Sequence, residues 1–389
     1  MSGRDLFCQP RRFGRGAALT LVFASVLVAG AATGSLPGPD RKTTPGTSRS
    51  SASAARPQEV TEAAAEAMAV GKSPMEAAER AVSRSGDRWD AVYSPGEFEE
   101  FEESLDGEYT GVGLWTRGVR DGRIEVTKVS AGSPAATAGI RAGDRLRSVD
   151  GARVEGRPVT EVVSLLRGDA TDAAAGTTVR LGLERGTHAW SLTLRRARLS
   201  TDSVTVRNLA DRVTVITIDA FTKGSGDVVR DAVRQAPADT GIVLDLRGNS
   251  GGFVTEAVTA ASAFLDGGLV ATYDVDGTEH ALHAEAGGDT TRPLVALVDG
   301  GTMSAAELLT GALQDRGRAV VVGSRTFGKG SVQMPTRLPD GSVAELTVGH
   351  YRTPSGRGVD GKGITPDLEA DTGALKQAET VLSGLGDAS

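Results

Sequence analysis

Apolar residues follow two different periods along the chain, which predict a mixture of strands and helices. Val213–Ile218 alternates apolar and polar positions as a half-buried strand does, whereas Leu294–Val298 is apolar throughout, as a buried strand is. Val254–Leu265 and Ser304–Leu313 carry apolar residues at spacings of three and four, which is typical of amphipathic helices. Because glycine-rich turns connect these segments, the pattern predicts a mixed chain of the α+β (mixed α/β) class.

The chain begins with a basic stretch and an apolar run. Four arginines lie within residues 1–16, and Ala17–Ala32 contains no charged residue. A basic start before about 16 apolar residues is typical of a secretory signal, and a short uncleaved anchor has the same pattern. We therefore predict an extracytoplasmic protein that is either secreted or tethered to the outer face of the cell membrane.

Two segments connect this run to the rest of the chain. Residues 33–57 are rich in Ser, Thr, Pro and Gly, a composition typical of a linker that buries no core. Residues 58–108 return to helical spacing, and Ser73-Pro74 followed by Glu76 is the pattern of a capped helix start. We predict short N-terminal helices in this second segment.

Composition and charge narrow the functional classes. The net charge of −7 and the pI near 5.4 argue against a nucleic-acid partner. Cys8 is the only cysteine, so no disulfide framework can form within the chain. His280 and His283 are three residues apart in a polar, loop-like stretch, and no cluster in the chain has metal-ligand spacing, so we predict no metal. The phosphate-binding pattern GxxxxGK[ST] is absent, and we predict no cofactor.

The candidate chemistry lies between Asp299 and Gln333. Ser304 precedes an amphipathic helix, where unpaired N–H groups and the positive end of the dipole can stabilise an oxyanion. Lys329 is the only lysine of this segment and lies between two glycines. A serine needs a base to act as a nucleophile, and a buried lysine of lowered pKa can be that base. A helix-capping serine and a solvated loop lysine would explain this stretch equally well.

Two motifs here resemble those of the carboxyl-terminal processing peptidases, also called tail-specific proteases. They are SAAELLTGALQD at Ser304–Asp315 and TFGKGSVQ at Thr326–Gln333. The resemblance implies a Ser/Lys dyad in which Ser304 is the nucleophile and Lys329 the general base. It also implies that Gln333 orients the lysine and that Asp315 is a supporting residue. The spacings of 25 residues from serine to lysine and four from lysine to glutamine match the family pattern.

A third motif, DLRGNSGG at Asp245–Gly252, resembles the family's Asp-Leu-Arg-x-Asn-x-Gly-Gly motif. In the family, one N–H of the glycine pair and the N–H after the nucleophile form the oxyanion hole. The resemblance places this role on Gly251 or Gly252, and on Ala305. Ser250 stands where the family more commonly has Pro or Gly, and we expect this to be tolerated because backbone groups supply the donors.

Residues 109–197 resemble a PDZ domain. The carboxylate-binding loop of such domains falls on Gly111, Val112, Gly113 and Leu114. N–H groups of such a loop can bind an anionic chain end while the peptide extends a sheet as an added strand. A helix at Val159–Leu166 would form the other wall of the groove. Its candidate lining residues are Val162, Leu165 and Leu166, for which ordinary core positions are an equal alternative.

The resemblance implies a crotonase-like β/α spiral peptidase core with an inserted PDZ domain and N-terminal helices. The predicted divisions are a signal or anchor (1–32), a linker (33–57), a helical segment (58–108), a PDZ domain (109–197), a peptidase core (198–375) and a C-terminal tail (376–389). The implied function is a serine endopeptidase that recognises unstructured, apolar C-termini of proteins. In the family the N-terminal helices can also mediate dimerisation, so a homo-oligomer is open.

Two other functions stay open from the sequence. A catalytically silent PDZ scaffold would bind peptides without cleaving them, but it predicts the loss of the nucleophile or the base, and both are present. A Ser/His hydrolase would use His350 as base and Asp245 to orient it. That class is disfavoured because the G-x-S-x-G motif is absent around Ser304.

Overall fold

The computed structural model describes residues 57–119, 122–168, 175–209, 213–275 and 277–386. These residues fold into two compact units. The inserted unit comprises Thr110–Leu199, and the main unit comprises the described residues before and after it. The predicted signal or anchor (1–32), and the predicted linker except for its last residue, lie outside the described residues. Among the residues that the structure does describe, no helix is long and apolar enough to cross a membrane.

The main unit begins with helices, as predicted for residues 58–108. Its first elements are α1 (Pro57–Ala69), α2 (Pro74–Ser85), β1 (Ala91–Tyr93) and α3 (Pro95–Leu105). The predicted start of α2 is confirmed, because Ser73 Oγ accepts the N–H of Glu76 at 3.2 Å and Pro74 occupies the first turn. Ser94 caps α3 in the same way through a capping box with Glu97.

The inserted unit is an antiparallel sheet with two helices. In chain order its elements are β2 (Glu108–Gly111), β3 (Leu114–Gly118), β4 (Ile124–Val129), α4 (Pro134–Thr137), β5 (Arg145–Val149), β6 (Ala152–Arg153), α5 (Val159–Arg167), β7 (Thr178–Arg185), β8 (His188–Arg195) and β9 (Ala197–Ser200). The main sheet has the order β3-β4-β5-β7-β8, with β6 paired to β5, and β2 pairs with β9. Strand β3 is therefore an edge strand of its sheet.

The main unit continues with a largely parallel sheet and a second, antiparallel one. In chain order the elements are β10 (Val204–Leu209), β11 (Val213–Ile218), α6 (Ser225–Gln235), β12 (Gly241–Asp245), α7 (Val254–Ser262), β13 (Leu269–Val275), β14 (Thr278–His283), β15 (Leu294–Val298), α8 (Ala305–Asp315), β16 (Val320–Gly323), β17 (Ser331–Arg337), β18 (Val343–Arg352), β19 (Leu368–Glu369) and α9 (Ala374–Gly386). The first sheet runs β10-β11-β12-β15-β16-β19, and only β10 is antiparallel in it.

The central parallel strands β12, β15 and β16 carry apolar residues on both faces because both faces of their sheet are covered. Ile216 and Leu244 belong to the core cluster that includes residues of α6, α7 and α8, whereas Val243 and Leu297 face the cluster that includes α9. Residues 374–386 are thus a helix that contributes to the core, and the predicted C-terminal tail (376–389) is corrected for this segment. Its apolar positions Ala378 and Leu382 recur at a spacing of four, which a packed helix requires.

The second sheet carries the N-terminal elements. Its order is β1-β18-β13-β14, and β17 also pairs with β18, from Val343 to His350. Residues of α1 and α2 share an apolar cluster with Leu338, Ala344 and Leu346. The mixed class of helices and sheets is therefore confirmed, while the crotonase-like spiral stays a prediction. The loops after β12, β15 and β16 leave the same edge of the parallel sheet, the usual place for a site in such sheets.

Candidate active site

Ser304, the candidate nucleophile, lies in the turn between β15 and α8. It is fully buried, and its backbone has φ 57° and ψ −116°, a combination that L-residues rarely adopt. Asp299 stabilises this turn, because its Oδ1 accepts the N–H groups of Gly301 at 2.8 Å and Gly248 at 2.9 Å. The turn therefore presents Ser304 in a strained conformation at the N-terminus of α8.

Lys329, the candidate base, lies between β16 and β17, and its side chain is fully buried. Burial lowers the pKa of Lys329 to about 8, while the carboxylates of Glu345 and Asp87 act in the opposite direction. Its Nζ lies 5.1 Å from the centre of the Trp89 ring. The alternative of a solvated loop lysine is therefore wrong, and the lowered pKa makes a neutral amine accessible near neutral pH.

Glu307 connects the segments that carry the serine and the lysine. Its Oε2 accepts the backbone N–H of Ser304 and that of Lys329, both at 2.9 Å. Its Oε1 accepts the N–H of Gly328 at 2.7 Å and the hydroxyl of Thr326. Burial raises the pKa of Glu307, and these four donors act against that rise. One buried carboxylate oxygen thus holds the nucleophile's backbone and the base's backbone side by side.

Tyr351 of β18 makes a second bridge between the same two residues. Its hydroxyl lies 3.0 Å from the carbonyl oxygen of Ser304 and 3.2 Å from that of Lys329, so its single proton is shared between two acceptors. The side chain is buried, which raises its pKa well above the ordinary value and keeps the hydroxyl protonated. This hydroxyl therefore connects β18 of the antiparallel sheet to the turn at Ser304.

The DLRGNSGG loop after β12 lies against the nucleophile. The N–H of Met303 donates to the Asn249 carbonyl at 2.8 Å. A Cβ added to Gly251, where φ is +102°, would lie 3.0 Å from Ser304 Cβ, so a glycine is required here. The Gly251 N–H already donates to Asn249 Oδ1 at 2.8 Å. The structure therefore brings Gly251 and Ser304 together, and Ala305 follows as the first residue of α8.

Gln333 contributes through its contact with Trp89. Its Nε2 donates to the Trp89 carbonyl, and it lies opposite Thr347 in the β17–β18 ladder. Trp89 also contacts Phe327, with ring centres 5.7 Å apart. Gln333 therefore holds the residue whose ring covers the amine of Lys329.

Two family profiles match this chain. The profile of Peptidase family S41 matches residues 212–370, and the profile of the PDZ domain matches residues 125–185. The chain carries a peptidase domain of family S41. The loops that hold Ser304, Lys329 and the glycine pair all lie within the matched S41 region.

Two curated relatives of this chain are named as a CtpA-like serine protease and a carboxy-terminal processing protease. It is 35% identical over 279 residues to a probable CtpA-like serine protease of Staphylococcus haemolyticus (strain JCSC1435), covering 70% of this chain and 55% of that one. It is 33% identical over 276 residues to the carboxy-terminal processing protease CtpA of Bacillus subtilis (strain 168), covering 70% and 58%. The chain thus spans just over half the length of these two relatives. The structure of the photosystem II D1 C-terminal processing protease is similar, with a TM-score of 0.51, 29% identity, and coverage of 80% of this chain and 86% of that one.

Asp315 lies at the other end of α8 from Ser304. Eleven residues at a rise of ~1.5 Å each separate the two by roughly 16 Å along the helix. Burial raises the pKa of Asp315, but hydrogen bonds from Ser355 and Thr353 outweigh it, so the net pKa is lowered. Asp315 also pairs with Arg357. The structure therefore does not bring Asp315 to the nucleophile, and its contacts are with the Thr353–Arg357 turn.

The residues of the alternative Ser/His hydrolase are also apart. His350 is exposed on β18, whereas Ser304 is fully buried. Both oxygens of Asp245 are bound by the guanidinium of Arg247, at 2.8 and 2.6 Å. Within the described residues no group of His, Cys, Asp and Glu has the arrangement of a metal site.

The candidate peptide-binding residues lie in the inserted unit. The loop joins β2 to β3, and a Cβ on Gly113, where φ is +81°, would lie 2.2 Å from Ser133 Cβ. Val112 is buried, and so are Val162 and Leu166, which lie in the core of this unit. Leu165 is partly buried against the same core. The groove-lining prediction is thus corrected for Val162 and Leu166, because the inward face of α5 supplies the core.

Sequence reasoning did not single out Glu307, Tyr351, Trp89 or Glu345. For Glu307 a signal existed, since a serine followed three residues later by a glutamate is the capping-box pattern. The other three residues carry no local signal. They reach the site from β18 and from the segment before β1, whose pairing in the antiparallel sheet only the tertiary structure shows.

Proposed function

We propose that this chain is a serine endopeptidase that cleaves extracytoplasmic proteins after its PDZ domain has bound their unstructured, apolar C-termini. The observation that carries this proposal is the pair of fully buried residues Ser304 and Lys329, whose backbones share one oxygen of Glu307. The lowered pKa of Lys329 supports its role as the base. Membership of family S41 supports the choice of the peptide bond as substrate.

In this mechanism the neutral amine of Lys329 removes the proton of Ser304 Oγ as the oxygen attacks the scissile carbonyl carbon. The negative charge on the carbonyl oxygen is stabilised by backbone N–H groups of Ala305 and of the glycine pair. Because Gly251 already donates to Asn249, we assign the donor role to Gly252 and the close packing on Ser304 to Gly251.

Collapse of the tetrahedral intermediate breaks the carbon–nitrogen bond and leaves an ester on Ser304. Lys329 returns its proton to the departing amine. It then removes a proton from water, whose oxygen attacks the ester carbonyl. The ester carbon–oxygen bond breaks, Lys329 returns this proton to Ser304 Oγ, and the acid product leaves. In this scheme Gln333 acts by holding Trp89 against the lysine, and Asp315 by holding the turn at Arg357.

Recognition of the substrate tail is assigned to the inserted unit. Strand β3 lies at the edge of its sheet and can accept an added strand. The Gly111–Leu114 loop precedes it, and its N–H groups would bind the terminal carboxylate. Trp115 on β3 is 46% exposed, which offers an apolar contact to the tail.

The test uses the full chain, unchanged and as Ser304→Ala and Lys329→Ala. Cleavage of an unfolded protein with an apolar tail is compared with cleavage of the same protein with a charged tail. We expect both variants to be inactive, the unchanged chain to prefer the apolar tail, and its rate to rise with pH toward a limb near 8, where Lys329 becomes neutral. Activity retained by Lys329→Ala would refute the dyad, and tail binding without cleavage would favour the silent scaffold.

A further inference from the structure

Glu345 is a buried carboxylate that the proposed mechanism does not use. It lies on β18, is 1% exposed, and neither of its oxygens has a partner in hydrogen-bonding geometry among the described residues. Burying a carboxylate without a partner is costly, so such a group needs a reason to be retained. The cost also marks it as a candidate functional residue.

The register of β18 places the side chain of Glu345 on the face of the sheet that carries the candidate active site. It is the Cα partner of Pro335 on β17, and Gln333 is the partner of Thr347. Because side chains alternate along a strand and directly paired residues share a face, Glu345 and Gln333 lie on the same face. Gln333 reaches Trp89 from this face, and the ring of Trp89 lies against the amine of Lys329.

Other charged groups also lie around this pair, among them Arg88, whose guanidinium donates to the Gly328 carbonyl at 3.4 Å and lies 4.4 Å from the centre of the Trp89 ring. From the segment before β1, the carboxylate of Asp87 also raises the pKa of Lys329, and from β1 the Tyr93 hydroxyl approaches Glu345 and opposes the rise of its pKa. Glu307 on α8 accepts the backbone N–H of Lys329 at 2.9 Å, and Asp360 accepts the N–H of Gly330 at 3.3 Å. The charge of Glu97 on α3 contributes to raising the pKa of Tyr93.

Glu345 and Lys329 are both buried, and the charge of each one limits the pKa shift that burial causes in the other. Burial raises the pKa of Glu345 to about 7, and the ammonium of Lys329 limits that rise. In return the carboxylate limits the fall of the lysine pKa. Between these values the pair holds one proton in common, either as ammonium and carboxylate or as amine and carboxylic acid, without any change of net charge.

We propose that Glu345 is a positioning residue for the base: its negative charge, buried on the face of β18 that carries the site, favours the protonated form of Lys329 and thereby sets the pH range in which the dyad acts. This inference rests on the proposed function. When Lys329 takes the proton of Ser304 Oγ, the carboxylate stabilises the new ammonium, and the proton leaves again with the amine product. Glu345 therefore makes Lys329 a stronger base that needs a higher pH to be neutral.

The test measures the rate at which a fluorophosphonate labels Ser304 in the full chain from pH 5.5 to 10, because this reagent needs no bound peptide. In Glu345→Gln we expect the acid limb to move down by about one pH unit, since an opposite charge close by shifts a pKa by ~1–3 units. Labelling should then be about tenfold faster on the acid limb. On the alkaline plateau it should be slower, because the lysine is a weaker base.

A merely structural role of Glu345 would lower the rate at every pH and would not make the two profiles cross. The matched control is Glu279→Gln, which removes an exposed carboxylate of β14 in the same set of strands and should leave the limb in place. Glu345→Asp keeps the charge but moves it by one methylene, so its limb should lie between those of the unchanged chain and Glu345→Gln.

The outcomes separate this inference from the function on which it rests. If Lys329→Ala labels as fast as the unchanged chain, the dyad itself is refuted. If Lys329→Ala is inactive but Glu345→Gln has an unshifted limb, the dyad stands and the role of Glu345 is refuted. Should Glu345→Gln fail to fold, an unshifted limb in Glu345→Asp would overturn the inference in its place.

Discussion

Replacing Glu307 by Gln should damage stability and catalysis together, because this side chain receives four donors. The isosteric amide has one oxygen and one NH2 group, and the NH2 group would face two donors. Two hydrogen bonds to a charged acceptor are then lost, at ~1.5–3 kcal/mol each. Burial of the charge, which raises the pKa of Glu307, offsets part of this loss. We therefore expect the loss to lie at the lower end of this range, which for two bonds is about 3 kcal/mol of unfolding free energy.

The measurement combines urea unfolding, followed by circular dichroism, with fluorophosphonate labelling of Ser304 under conditions where both proteins are folded. Labelling of Glu307→Gln should be at least about tenfold slower, since a displacement of the reacting groups by about 1 Å costs up to ~100-fold. The displacement is expected because the shared oxygen no longer fixes the backbones of Ser304 and Lys329.

Glu256 offers a matched control for the same substitution. Its two oxygens accept the N–H groups of Gly224 at 2.9 Å and Gly226 at 2.8 Å, near the start of α6. Glu256→Gln should lose one such bond, about 1.5–3 kcal/mol, and label at an unchanged rate. A Glu307→Gln variant that loses less than about 1 kcal/mol and labels like the unchanged chain would refute the reasoning.

Three further predictions concern the nucleophile's surroundings. Because the φ of Ser304 favours glycine, Ser304→Gly should be about 1 kcal/mol more stable than Ser304→Ala in urea unfolding, and equal stability would show that the turn is unstrained. Gly251→Ala should abolish labelling, because the added Cβ would contact Ser304. Gly248→Ala is the control, since Gly248 also has a positive φ but nothing lies within 4 Å of its added Cβ, and it should retain most of the labelling. Similar rates in the two variants would refute the packing argument. Tyr351→Phe should cost about 1 kcal/mol and slow labelling severalfold, and an unchanged rate would show that its bridge does not position the dyad.

The sequence by itself carried the local features of this protein. The capped start of α2, the strands at Val213–Ile218 and Leu294–Val298, and a helix following Ser304 are all visible in apolar spacing and capping residues. The motifs around Ser304 and Lys329 were also recognisable, since each occupies one short stretch. Local structure depends on interactions between residues a few positions apart. The sequence shows such neighbours directly, so these elements can be predicted from it.

The tertiary structure decided which of the distant residues meet. Glu345 and Tyr351 reach the site only because β18 pairs with β1 and β17, and no local pattern encodes that pairing. The same applies to Val162 and Leu166, whose apolar character suits a groove or a core equally until the neighbours of α5 are known. Burial of Lys329 likewise comes from segments far away along the chain. A pKa depends on the charges and solvent around a group, so the chemistry of this lysine is set by the fold.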